Sequence, residues 1–122
     1  MSDTELFMHI DPLGNLYICD VILSYIYPRV FVCQNRCGQK YLFYEMDAPD
    51  DKEIWLVCKT TKSEYDDLKN HKKPIQRAYD EKNENELFSI TKIGEKISLA
   101  MDGKNWLSHL PEQPVYAEDC LA

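Results

Sequence analysis

Short connections between apolar runs are the feature that most limits how this chain can fold. Between Leu16 and Thr60, runs rich in β-branched and aromatic residues follow one another, a composition typical of strands. Only turn residues separate them, at 27–29, at 35–38 and in an acidic loop from Asp47. Parallel neighbours need a long crossover, so connections this short predict an antiparallel meander. The predicted strands are 16–26, 30–33, 39–46 and 53–60.

The hydrophobic period changes at Thr61. Thr61 and Glu64 have the spacing of a helix capping box, in which the first side chain caps the helix and the second lies three residues on. This pattern predicts a short helix to about Asn70, with Tyr65 and Leu68 facing inward.

A second short helix is expected after Pro74, because proline suits the first position of a helix. Its apolar stripe consists of Ile75, Ala78 and Tyr79. The charged segment 81–86 that follows is expected to be an exposed loop.

The last third of the chain returns to strand patterns. Strands are predicted at 87–91 and 97–101, with a turn at Gly94. Asp102-Gly103 is a strong hairpin signal, which predicts a final strand near 105–107.

These patterns together predict one α+β domain over residues 1–122. We expect an antiparallel meander sheet of about six or seven strands with two short helices. The tail from about Pro111 is predicted to be irregular.

The charge balance limits the classes of partner. Fourteen Lys and Arg against 21 Asp and Glu give a net charge of −7, a field that repels nucleic-acid phosphates and anionic membranes. We therefore expect no direct nucleic-acid binding and no membrane association. No window reaches the about 18 apolar residues of a membrane span. A protein partner, one with a basic surface above all, fits this charge better.

The cysteines and the N-terminus predict a cytoplasmic location. The N-terminal residues carry no basic region before an apolar stretch, so they do not resemble a signal peptide. An odd number of cysteines without an export signal predicts free thiols in a reducing compartment. The five cysteines are Cys19, Cys33, Cys37, Cys58 and Cys120.

Three stretches carry a resemblance to a known family. These are the aromatic strand with its proline turn at 21–31, the Gly-x-x-Tyr-Leu strand at 38–42, and Trp55-Leu56. With the helical pair that follows, they resemble an uncharacterised family of small bacterial domains over roughly residues 16–80. The resemblance implies a bacterial or phage origin and a turn-and-core role for these motifs. It implies no catalytic residue.

No motif predicts catalysis, metal binding or a cofactor. Cys33 and Cys37 could begin a zinc site, but their spacing is unusual and no second pair of ligands follows. The histidines at 9, 71 and 109 lack metal-ligand spacing. The acidic cluster from 47 to 53 lacks the alternate ligands and turn glycine of a calcium loop. We expect no catalytic residue, no metal and no cofactor, with free cysteines flanking a turn.

An interaction surface is predicted at the end of the strand 39–46. This strand is apolar on both alternating sets of positions, and two small helices would leave part of one sheet face to be covered by a partner or by the tail. Tyr44 is expected to point outward rather than Tyr41. A carboxylate rim would follow directly. The predicted interface residues are Tyr44, Asp47, Asp50, Asp51 and Glu53.

Size, acidity, eight tyrosines and the lack of catalytic motifs favour a non-enzymatic protein-binding module. We expect a small inhibitor, antitoxin, immunity or anti-defence protein, or an accessory subunit of a bacterial or phage conflict system. The alternative is a small enzyme or ligand-binding domain that uses a cysteine or histidine in a pocket. A structural homodimer is a third reading.

Overall fold

A seven-stranded antiparallel sheet forms the body of the protein. The computed structural model describes residues 6–25 and 27–117. Each strand pairs with the next one along the chain, so the predicted meander is confirmed. The strands are β1 Leu6–Ile10, β2 Gly14–Tyr25, β3 Tyr27–Gln34, β4 Lys40–Met46, β5 Lys52–Thr60, β6 Leu87–Ile93 and β7 Lys96–Ala100.

Three short helices accompany the sheet, so the fold is mostly β and the α+β description holds only roughly. They are α1 Lys62–Lys69, α2 Ile75–Asp80 and α3 Gly103–Trp106. Single 3₁₀ turns occupy Glu84–Glu86 and Leu107–His109. The first of these lies within the predicted exposed loop.

The two predicted helices form where their local signals place them. The Thr61 side chain accepts a hydrogen bond from the Glu64 N–H at 3.2 Å, which satisfies one of the unpaired donors at the start of α1. Tyr65 and Leu68 of α1 are buried. The expected stripe of α2 is buried as well, with Pro74 just before the helix.

The sheet buries both of its faces. One face packs against α1, α2 and the segment after α3. The other face is concave and packs against itself, since the sheet curls until β1 and β7 approach each other. Phe7 of β1 closes this inner core, with its ring 5.0 Å from Phe31 and 5.6 Å from Trp55 in edge-to-face contacts.

The predicted uncovered face is therefore wrong within the described residues. Strand β4 is apolar at alternate positions on both sides because each side faces a core. Tyr41 and Phe43 lie in the inner core, while Leu42 and Met46 lie in the core beneath the helices. Tyr44, expected to point outward, is half-buried and packs against that second core, on the side shared with Leu42 and Met46.

The Asp102-Gly103 hairpin and its final strand near 105–107 are also wrong. The chain forms α3 there instead. A Cβ atom on Gly103 would lie 2.5 Å from Leu87 Cγ and 2.7 Å from the Phe88 nitrogen. The glycine is needed because the helix touches the backbone of β6, not because a hairpin turn requires a positive φ. Asp102 accepts a hydrogen bond from the Ser89 hydroxyl at 2.6 Å.

Strand β1 has no counterpart among the predicted strands. It is only five residues long and includes Phe7 at an irregularity of its pairing with β2. The predicted turns at Gly38 and Gly94 are confirmed by their positive φ values of 88° and 60°. From 111 to 117 the chain forms no helix or strand, as expected for the tail.

Candidate functional site

A cleft of about 300 Å³ lies at the end of β4. We call it the β4 cleft. One wall comes from the ends of β2 and β4 and the start of β3, and the opposite wall from the chain after α3. Its lining includes Arg29, Tyr44, Glu45, Asp47, His109 and Val115.

Tyr44 contributes an aromatic surface to this cleft. Its ring lies edge-on to Tyr79, with the ring centroids 6.1 Å apart. Tyr79 is fully buried, and its hydroxyl donates to the Leu42 carbonyl oxygen at 2.9 Å. Tyr44 is thus held from behind by a residue that cannot move without breaking the core. Its remaining surface is half-buried and faces the cleft.

Burial raises the pKa of Tyr44, and the nearby Asp47 carboxylate raises it further, while Arg29 acts in the opposite direction. The phenol therefore stays protonated at neutral pH. In this form it donates a hydrogen bond as well as offering its ring.

An ion pair lies at the end of β4, at the position next to Tyr44 in sequence. Arg29 Nη2 lies 3.7 Å from Glu45 Oε1, and only 14% of the Glu45 side chain is exposed. The pairing of Val30 with Tyr44 across β3 and β4 makes Arg29 and Glu45 neighbours. Alternation along β4 places Glu45 on the sheet face opposite Tyr44. The cleft therefore wraps around the end of the strand.

A second hollow of about 500 Å³ adjoins the cleft. We call it the acidic hollow. It shares Arg29, Glu45, Met46 and Asp47 with the β4 cleft and extends along the β4–β5 loop.

The predicted interface residues occupy these two hollows in part. Tyr44 lines the β4 cleft, Asp47 lines both, and Asp50 and Glu53 line the acidic hollow. Asp51 is exposed on the same loop but is not part of that lining. Asp47 and Asp50 are exposed residues, so they border the hollow rather than fill it.

Counter-charges border the acidic hollow. Lys52 belongs to its lining, and Glu53 has the Lys92 ammonium at 4.0 Å. An exposed pair at this distance contributes little to stability. The lining of the hollow holds four carboxylates, those of Glu45, Asp47, Asp50 and Glu53, against the two cations of Arg29 and Lys52.

Sequence reasoning missed Arg29, Glu45, His109 and Val115. Glu45 gave a signal, since it is a charged residue inside an otherwise apolar strand run. Arg29 reaches the cleft through the pairing of β3 with β4, whereas His109 and Val115 reach it only through tertiary structure, because the C-terminal chain is distant in sequence from β4. His109 packs its ring 5.1 Å from that of Trp106.

The cysteines lie away from these hollows. Cys33 and Cys58 are buried, whereas Cys19 and Cys37 are exposed. All of these four are free thiols, as predicted, and Cys120 lies outside the described residues. Burial raises the pKa of Cys33 and Cys58 far above the ordinary thiol range, which leaves both as poor nucleophiles.

Two histidines have local partners instead of a common site. His9 Nδ1 lies 2.6 Å from Asn15 Oδ1, and His71 Nε2 lies 2.8 Å from the Ala117 carbonyl oxygen. In the part of the chain that the structure describes, no three His, Cys, Asp or Glu side chains group as metal ligands.

A run of basic residues from Lys69 to Lys73, at the end of α1 and just after it, lies against carboxylates. Lys69 binds Asp20 at 2.9 Å. Lys73 binds Glu81 at 3.1 Å. These contacts tie α1 and α2 to their surroundings, so the run acts as structural charge.

A family model matches residues 4–101 of the chain, that of a family of unknown function, DUF6575. The chain belongs to this family. The match includes β1 to β7, α1 and α2, and it contains the segment 16–80 in which the resemblance was found. The predicted membership in an uncharacterised family is thus confirmed. Most of the β4 cleft lies within the matched region, but the wall formed by His109 and Val115 lies beyond it.

Comparison with curated proteins and with solved structures finds no match. Over 6–25 and 27–117, none of the helices combines the length and apolar character needed to cross a membrane.

Proposed function

We propose that this protein is a non-enzymatic binding module that recognises a basic surface on a protein partner. In this proposal it serves in the cytoplasm as a small acidic inhibitor, antitoxin, immunity or anti-defence protein, or as an accessory subunit of a bacterial or phage conflict system. The observation that carries the proposal is the β4 cleft, where a half-buried Tyr44 adjoins the exposed carboxylates of the β4–β5 loop.

The cleft and the acidic hollow supply the two components of such a contact. Tyr44 is braced by Tyr79, so it loses little side-chain freedom when a partner covers it. Braced aromatic residues carry much of the energy of protein interfaces. The surrounding carboxylates attract cationic groups and speed association.

A guanidinium or ammonium group of the partner fits the acidic hollow best. Asp47 stands between the hollow and the aromatic ring of Tyr44. A cation there would have carboxylate oxygens on one side and the cleft on the other.

One observation favours the second candidate, a small enzyme or ligand-binding domain. His109 lines the β4 cleft together with Tyr44 and Asp47, so the cleft holds an imidazole beside a phenol and a carboxylate. This candidate predicts a small-molecule ligand that shifts the NMR signals of His109. The binding-module proposal predicts a macromolecular partner and no requirement for His109.

The proposal is tested in two steps. A photoreactive amino acid placed at Asp50 in the native host first captures the partner, which is then purified. Binding of the purified partner is next measured by surface plasmon resonance with wild type, Tyr44→Ala, and Asp50→Lys with Asp51→Lys. Tyr44→Ala should weaken binding by about 2 kcal/mol, roughly 30-fold. The double charge reversal should mainly slow association, and more so at low salt.

Matched controls separate this surface from general charge and folding effects. Asp11→Lys with Glu84→Lys makes the same charge change at exposed positions elsewhere on the protein and should leave the rate at high salt unchanged. Circular dichroism and thermal melting must show that each variant is folded. If Tyr44→Ala and the reversal both bind with wild-type kinetics while folded, the proposed surface is wrong.

A further inference from the structure

Residues 111–117 run as an extended segment beside α2, and we call them the C-terminal strap. One side chain of α2 holds the strap through its main chain. Gln76 Nε2 donates to the carbonyl oxygens of Pro111 at 2.9 Å and Gln113 at 2.8 Å. The Val115 N–H donates to Gln76 Oε1 at 2.9 Å. A single amide group thus binds three main-chain groups.

Two more contacts fix the end of the strap, again through its main chain. The Ile75 N–H donates to the Val115 carbonyl oxygen at 2.7 Å. The Ala117 carbonyl oxygen lies 2.8 Å from His71 Nε2. Val115 and Ala117 pack against the core beneath the helices, whereas the part from Pro111 to Pro114 is exposed.

The strap is also a wall of the β4 cleft. Pro111 and Val115 line the cleft opposite Tyr44. Gln76 itself is not part of that lining, yet it positions both of these residues. The width of the cleft therefore depends on a latch outside it.

The anchoring is local and partly solvent-exposed. Both bonds donated by Gln76 lie at exposed positions, and the strap is not part of the sheet. A segment outside the sheet with few buried apolar contacts opens at a fraction of the free energy of global unfolding, and of the strap only Val115 and Ala117 reach the core. The strap can therefore leave α2 while the sheet stays folded.

We propose that the C-terminal strap is a movable wall of the β4 cleft that Gln76 holds closed, and that its release widens the partner-binding site around Tyr44. The motion itself concerns this chain alone. Its effect on the partner rests on the proposed function. Gln76 is then a positioning residue, which acts on the site through the strap.

Hydrogen exchange of the full chain, followed by mass spectrometry, tests the latch without any partner. Gln76→Glu keeps an acceptor for the Val115 N–H but replaces both donated bonds by repulsion between oxygens. Exchange of the two amides in these contacts, the Val115 N–H of the strap and the Ile75 N–H that it covers, should rise about tenfold or more, with exchange in β4 and β5 unchanged. Gln113→Glu is the matched control, because Gln76 contacts only the main chain of Gln113, and it should leave the strap protected.

A second measurement reports on the cleft. In Gln76→Glu the pKa of Tyr44, followed by NMR titration, should fall toward its ordinary value, since burial is the main cause of its elevation. The proposal is overturned if strap exchange in this variant equals that of wild type. It is equally overturned if exchange rises in the whole sheet, because Gln76 would then act only on global stability.

The effect of strap release on partner binding is measured separately. Photo-crosslinking from Asp50 is repeated in Gln76→Glu, with a changed yield of the captured partner expected. An open strap with an unchanged yield would refute the regulation but leave the proposed surface standing. Wild-type binding by folded Tyr44→Ala would refute the surface but leave the latch measured by exchange.

Discussion

Replacing Gly103 by alanine tests the packing of α3 on the sheet. The added Cβ would lie 2.5 Å from Leu87 Cγ, 2.6 Å from the Leu87 carbonyl carbon and 2.7 Å from the Phe88 nitrogen. Carbon atoms in contact prefer about 3.5–4.0 Å, so the overlap is about 1 Å. Two of these atoms belong to the backbone of β6 at Leu87 and Phe88, which pairs with β5 there and cannot retreat easily.

The change in the free energy of unfolding of Gly103→Ala follows from two opposing effects. Alanine favours a helix over glycine by about 1 kcal/mol. Overpacking against a fixed neighbour costs about 1–3 kcal/mol and sometimes more, and the contact with backbone sets this case at the upper end. We expect Gly103→Ala to lower the free energy of unfolding by about 2 kcal/mol, which is a shift in Tm of about 8 °C.

Urea unfolding followed by tryptophan fluorescence measures the effect, because Trp55 is buried in the inner core. Asn105→Ala is the control, since Asn105 is an exposed residue of α3 and its replacement should change stability by less than about 0.5 kcal/mol.

A second variant separates this explanation from a hairpin turn at the same glycine. In such a turn asparagine tolerates positive φ, so Gly103→Asn would keep most of the stability. In the described packing its Cβ meets the same three atoms, and it should destabilise at least as much as alanine. Wild-type stability in both variants would refute the contact between α3 and β6.

Two further predictions concern the buried interior. Tyr79→Phe removes the hydroxyl that donates to a β4 carbonyl oxygen at 2.9 Å and should lower the free energy of unfolding by about 1–2 kcal/mol; a loss under about 0.3 kcal/mol in urea unfolding would contradict this bond. In a Cys120→Ser background, an aromatic disulfide reagent should label the exposed thiols of β2 and the β3–β4 turn quickly, whereas Cys33 and Cys58 should react only on unfolding. Burial raises the pKa of these two thiols. The stability that they contribute is therefore present below the ordinary thiol pKa of 9.0 and is lost as the pH rises above it. Above that pH the unfolded chain releases protons that the folded chain retains.

Some residues of the candidate site come from one local stretch of sequence, and others come from distant parts of the chain. Tyr44 and the carboxylates from 47 to 53 are close in sequence, so a strand that ends in an acidic loop was enough to place them together. Arg29, His109 and the strap come from other parts of the chain. Arg29 reaches the site through the β3–β4 hairpin, whereas His109 and the strap reach it through the path of the chain after α3, which no local pattern specifies.

The sequence by itself determined the antiparallel run from β2 to β5 and the helices α1 and α2. Short connections leave no room for crossovers, and the Thr61 cap is a contact within one helical turn. Tertiary structure decided the rest. The same Asp-Gly pair that favours a hairpin begins α3, because packing against β6 outweighs turn preference. Both faces of the sheet are buried because the sheet curls until Phe7 of β1 reaches the inner core. Local preferences amount to about 1 kcal/mol per residue, so burial of apolar side chains against distant partners overrides them.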